Sequence, residues 1–141
     1  MNSMNQYYFN CSIIYQSTCN LFIRDPNKIE TLWEAYKTIC SIFAEKIKNE
    51  GLANPKSVII LHDNHLLMFP FYLLLSNKQS YIINVHTQPF PSSDFFMQFP
   101  YRLEIARSMM GCAAFSFNSF QAAKHYINVV KKLLEVEAEM E

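Results

Sequence analysis

Side chains able to move protons or grip hydroxyls crowd two short stretches of the chain. His62, Asp63 and His65 stand in one, and His86 in the other. A carboxylate among imidazoles can act as acid and base, hold sugar hydroxyls or ligate a metal, and residue type alone leaves all three open. Metal is the weakest of these, because a single carboxylate stands nearby and the spacing of His62 and His65 matches no familiar ligand set. The plain structural alternative is that His62 and His65 start a helix or fill a core, hydrogen-bonded to backbone. Glycine narrows the chemistry further. The chain has two, Gly51 and Gly111, in 141 residues, where ordinary usage of ~7% would supply about ten. No G-x-G-x-x-G or G-x-x-x-x-G-K phosphate cradle can form from it.

The polar residues sit where secondary structure changes. Val58 to Leu61 is a short, continuously apolar run, which predicts a parallel strand buried on both faces. His62 to His65 follow at its end. Leu66 to Leu75 predicts a helix, kinked or started by Pro70, and Tyr81 to Val85 a second strand ending at His86. His86 to Asp94 carries two prolines and two serines and reads as largely irregular. Tyr101 to Met110 predicts a helix with Arg102, Glu104 and Arg107 on its wet side, and Ala113 to Phe117 a third strand. Ser119 caps a last helix whose apolar face uses Phe120, Ala123, Ile127, Val130 and Leu134. Upstream, Asp25-Pro26 opens a long helix. Ile29, Leu32, Trp33, Tyr36, Ile39, Cys40, Phe43, Ala44 and Ile47 recur in it at steps of three and four, and Gly51 stops it. Residues 1–24 show no clean period, although Ile13 and Ile14 suit a short strand.

Strands alternating with helices imply βαβ units on a parallel sheet, with right-handed crossovers. Ligands collect at the carboxyl ends of such strands. Here those ends are His62–His65, His86–Ser93 and Asn118–Ser119.

Composition removes several function classes. Half the residues are hydrophobic and 15% aromatic, which argues for a packed domain rather than a solvated tail. Twelve Lys and Arg balance twelve Asp and Glu, so there is no electrostatic footprint for nucleic acid. The apolar run Leu66–Leu75 is interrupted by Pro70 and is too short for a bilayer. Met1 to Gln6 lacks the basic start of a signal peptide. Cysteines Cys11, Cys19, Cys40 and Cys112 form no C-x-x-C pair, which disfavours a zinc knuckle. A cytoplasmic location is the expectation.

Several segments, in order, resemble one family. Ile59-Ile60-Leu61-His62-Asp63-Asn64-His65-Leu66-Leu67-Met68-Phe69-Pro70 is similar to the H-D-Y-H-L-x-x-x-P segment of the trehalose-6-phosphate synthases, retaining glycosyltransferases of family 20 with GT-B architecture. Val85-His86-Thr87-Gln88-Pro89-Phe90-Pro91-Ser92-Ser93-Asp94 resembles that family's L-H-T-P-F-P-S-S-E. Pro100-Tyr101-Arg102-Leu103-Glu104-Ile105 resembles P-W-R-E-E-I. Trp33-Glu34-Ala35-Tyr36 and Phe43-Ala44 fit the family's W-x-A-Y and F-A pattern, and Phe117 to Leu134 follows F-H-T-F-D-Y-A-R-H-F-L. The resemblance covers about residues 21–134.

The resemblance implies an α/β fold: an incomplete, parallel-sheet Rossmann-like half of a GT-B glycosyltransferase. It implies a poorly defined segment over 1–24, a partial acceptor-side domain over 25–135 and an acidic tail over 136–141. Family members move glucose from UDP-glucose onto glucose 6-phosphate. By position, Asp63 would bind acceptor hydroxyls and His86, the catalytic-side residue, would contact the transferred glucose. Tyr8 would reach the acceptor phosphate. No cofactor is implied, since UDP-glucose is a substrate. The chain departs from the pattern at Asn64, in place of tyrosine, and at Cys19-Asn20-Leu21-Phe22, where the family has L-W-P-L-F. Ile83 and Ser116 replace glycines, and Gln88 is one residue extra after His86 and Thr87. A one-residue slip would turn a strand side chain to the other face. No segment matches the UDP-binding half. Two expectations follow: a glucosyltransferase part that is inactive alone, or a non-catalytic sugar-phosphate-binding module that self-associates or docks on a full synthase.

Overall fold

The structure, a computed structural model, describes residues 26–75 and 80–136. Tyr8, the rest of segment 1–24, Asp25 and the acidic residues Glu137, Glu139 and Glu141 lie outside them. The first described helix, α1 (Pro26–Asn49), has proline in its first position, where the missing N–H costs nothing. It ends as the glycine predicted. Gly51 takes φ +70°, its amide donates to Lys48 O (3.1 Å), and the Leu52 amide donates to Ile47 O (3.0 Å). These two bonds satisfy carbonyls that the helix leaves open.

Three strands, β1 (Val58–His62), β2 (Tyr81–His86) and β3 (Ala114–Phe117), form a parallel sheet in the order β1-β2-β3. Parallel neighbours need crossovers. The first carries α2 (Phe69–Leu74), with Pro70 in its opening turn. The second carries α3 (Ser93–Phe96) and α4 (Arg102–Met109). After β3 comes α5 (Phe120–Leu134). Ser92 and Ser119 cap their helices by accepting from the Phe95 and Ala122 amides.

The core lies between the helices and one face of the sheet. Trp33, Tyr36 and Cys40 of α1, Ile105 and Met109 of α4, and Ala122 and Val129 of α5 share one buried cluster. Phe69 and Leu73 of α2 share a second with Ala44, Leu61 and Ile82. Trp33 is stacked between Tyr36 and Tyr101, with ring centroids 5.5 and 4.6 Å away.

Three sequence expectations change here. First, β1 is not buried on both faces. Val58 and Ile60 are 59% and 66% exposed, and Tyr81, paired with Val58, is 63% exposed. Helical residues of the second cluster meet the opposite face at Leu61 and Ile82, and those of the first meet Phe115 and Phe117 of β3. An apolar run reports strand character, not whether a second layer covers it. Second, the buried stripe of α5 runs through Ala122, Val129 and Val130, while Phe120 is 72% exposed. Third, Phe43 of α1 is exposed while Ala44 beside it is buried.

Candidate functional site at the carboxyl ends of the strands

All three strands deliver polar residues to one rim: His62 at the end of β1 and Asp63 just after it, His86 at the end of β2, and Asn118 and Ser119 after β3. The register pairs His62 with Val85, and the Asp63 amide continues it by donating to Val85 O (2.9 Å). Asp63 therefore stands beside His86. The extra residue, Gln88, falls after His86 and is absorbed in the loop that follows. His86 keeps the facing of Ile82 and Asn84, and all three are buried.

The turn after β1 hangs from two buried side chains. Asp63 takes φ +52°, a left-handed conformation that Asp tolerates better than most residues. Its carbonyl accepts from Asn84 Nδ2 (3.0 Å). The Tyr36 hydroxyl donates to Asn64 O (2.9 Å) and accepts from the Leu67 amide (2.8 Å). Asn84 and Tyr36 are both fully buried. Neither stood out as a site residue in the sequence. The available signal for Asn84 was a lone amide inside the apolar strand Tyr81–His86.

The Asp63 carboxylate, 5% exposed, is turned toward its own chain. Oδ1 accepts from the Thr87 amide (2.6 Å), the Thr87 hydroxyl (2.9 Å) and the Gln88 amide (3.0 Å). Oδ2 lies 2.9 Å from the same hydroxyl and 2.8 Å from His62 Nδ1. Burial pushes this carboxyl up, but the Gln88 and Thr87 donors and the nearby His62 outweigh it and hold the group below the ordinary carboxylate value. His62 itself is largely exposed, and His65 is exposed.

His86 has the opposite character. It is 4% exposed, with Phe90 and Phe117 rings at 5.5 and 5.9 Å. Burial lowers its pKa, against the pull of Asp63, so the ring is neutral at pH 7. Its Nδ1 has no hydrogen-bond partner among the described residues. The loop beyond it is tied down by Asn118 Nδ2, which donates to Thr87 O (2.8 Å), and by His125 Nδ1, which donates to Phe90 O (3.0 Å).

Burial pushes the Cys112 thiol up to about 12, which leaves it a poor nucleophile. Among the described residues no three His, Cys, Asp or Glu side chains gather as a metal site. Among them too, no helix is long and apolar enough to cross a membrane.

A parallel sheet with helices in its crossovers and its polar groups at the carboxyl rim defines a Rossmann-like α/β unit. The fold matches part of the amino-terminal domain of GT-B enzymes. The solved amino-terminal domain of Candida albicans trehalose-6-phosphate phosphatase superposes with TM-score 0.86 at 23% identity, over 95% of this chain and 28% of that one. The Burkholderia xenovorans α,α-trehalose-phosphate synthase (UDP-forming), solved in complex with glucose-6-phosphate, gives 0.75 at 19% identity, over 89% and 27%. Residues 14–141 match the model of glycosyltransferase family 20. The chain belongs to that family, the family of the trehalose-phosphate synthases. The 56 kDa subunit of the α,α-trehalose-phosphate synthase (UDP-forming) of Kluyveromyces lactis is 31% identical over 125 residues, which are 82% of this chain and 25% of that protein. A probable Arabidopsis thaliana synthase is 34% identical over 110 residues, 76% of this chain and 12% of that protein. The chain thus spans a quarter or less of the length of these curated relatives.

Proposed function

We propose that this chain is an acceptor-side unit of a family 20 glycosyltransferase, which binds glucose 6-phosphate or a similar sugar phosphate at the carboxyl rim of its sheet. The observation that carries this is the pairing of Asp63 with His86 at the ends of adjacent strands. The buried Nδ1 of His86, without a partner among the described residues, suits a sugar hydroxyl, and the partly buried Phe117 beside it offers apolar surface for a pyranose ring. Tyr8 belongs to the same reading as a contact to the acceptor phosphate. In a complete enzyme of this family, glucosyl transfer from UDP-glucose would take place above this rim, in the cytoplasm.

The chain by itself is a binding unit without turnover. Departure of UDP requires cationic or hydrogen-bonding groups fixed on its diphosphate. The rim segments His62–His65, His86–Ser93 and Asn118–Ser119 contain no lysine or arginine. Lys132, farther along α5, is engaged with Asp94 (3.1 Å). This favours the module reading for the isolated chain, with a partner supplying the donor side.

Thermal denaturation with each ligand tests the reading. Glucose 6-phosphate is expected to raise Tm, and at a hundred times its Kd the stabilisation is about 2.7 kcal/mol. UDP is expected to leave Tm unchanged. No rise in Tm with glucose 6-phosphate, titrated up to the limit of its solubility, overturns the proposal.

The open sheet face supports self-association. Val58, Ile60 and Tyr81 present contiguous apolar surface on the β1 side of the sheet, of a kind that monomers seldom leave uncovered. The chain's formal net charge of zero offers no repulsion between copies. Sedimentation should show mass rising with concentration, and Ile60→Lys should raise the dissociation constant at least about tenfold, as a desolvated charge in an apolar contact does. A parent chain that sediments as a monomer at all concentrations rules this out.

A further inference from the structure

We infer that Thr87 and Gln88 form a latch that fills the Asp63 carboxylate in place of a ligand's hydroxyls, so that the rim is closed by its own loop until a sugar displaces it. The inference rests on the sugar-phosphate reading above and deepens it. A carboxylate has about four acceptor positions, and Asp63 is met by three donors from residues 87 and 88 and by His62 Nδ1. Nothing is left for a ligand while they stay.

The part able to yield is Thr87 and Gln88: the tie from Asn118 Nδ2 to Thr87 O is solvent-exposed, and that from His125 holds Phe90, farther along the loop. Asp63 is anchored behind the carboxylate, by its amide on Val85 O and by Asn84 Nδ2 on its carbonyl. Thr87, in contrast, is exposed, so its hydroxyl can exchange Asp63 for water. Two neighbouring hydroxyls of a hexose would return two of the three donors that the loop withdraws from the carboxylate. Opening then lowers the apparent affinity by the fraction of chains that are open.

Gln88 decides how complete the closure is. Its amide is the third donor on Oδ1, and the next residue, Pro89, has no N–H to offer. Proline directly after Thr87, the order in the H-T-P-F-P pattern, would leave that position of the carboxylate open. The residue inserted in the loop therefore supplies the bond that closes the site.

Gln88→Pro and Thr87→Val each remove one donor and leave Asp63 and His86 in place. Glucose 6-phosphate binding is read by calorimetry, and the Asp63 carboxyl is titrated by carbon NMR. Each variant is expected to bind about tenfold more tightly than the parent, while its Asp63 carboxyl titrates at higher pH. Weaker binding by both variants overturns the latch and leaves the sugar-phosphate reading standing, since the loop donors would then build the site rather than block it. An Asp63 titration unchanged in both variants overturns the latch as well. Absence of binding in the parent and both variants overturns the sugar-phosphate reading, and the latch with it.

Discussion

Asp63→Ala is expected to lower the stability of the chain by about 3–5 kcal/mol in urea or thermal unfolding. Two contributions add. The Thr87 and Gln88 amides and the Thr87 hydroxyl lose a charged acceptor, and each such bond contributes about 1.5–3 kcal/mol when buried, less where water replaces it. Alanine at φ +52° adds a left-handed backbone penalty of roughly 1–2 kcal/mol. Asp63→Asn keeps an acceptor oxygen and tolerates the backbone, so it should cost about half as much. The two variants also differ from the parent in pH dependence. The folded-state carboxyl lies below its ordinary value of about 4. Its stabilisation is therefore complete above that pH and is lost as the pH falls through the folded-state value. The parent should approach Asp63→Asn in stability only as the pH falls below the folded-state value. An alanine variant as stable as the parent at pH 7 would show that the carboxylate does not hold the loop.

Tyr36→Phe removes one oxygen and is expected to cost about 2–4 kcal/mol. The hydroxyl serves Asn64 O and the Leu67 amide together, and both residues are buried, so water cannot readily replace it. The ring stays, and with it the stacking on Trp33, so the loss isolates the hydrogen bonds from the packing. Hydrogen exchange locates the effect: the Leu67 amide should lose protection well before the amides of β2. A variant within about 0.5 kcal/mol of the parent, the range of ordinary surface changes, would mean that the turn after β1 does not depend on α1.

These two side chains show where sequence reasoning stops. The helical periodicity from Ile29 to Ile47 identified Tyr36 as a core ring, and it is one. Periodicity assigns a side chain to a face, however, and is silent about the partner of its terminal oxygen, which comes from a turn 28 residues away. Asp63 and His86 were legible as a pair because each ends an apolar strand, and strands in a parallel sheet end together. That the carboxylate points into its own loop was not legible, because its donors are two backbone amides and a threonine hydroxyl. Backbone amides occur at nearly every residue and leave no mark in a sequence.

Local order in this chain was determined by the sequence itself. Pro26 and Gly51 bound α1, the serines cap α3 and α5, and the alternation of apolar runs with helical stripes gives parallel strands and the family's segment order. These features act through neighbouring residues, so a linear reading reaches them. Only the tertiary structure decided which sheet face is covered, which way α5 turns its stripe, and whether the insertion at Gln88 moves His86 or closes over Asp63. Each depends on contacts between segments tens of residues apart, where a shift of one residue or the lack of a covering layer changes exposure without changing the local pattern.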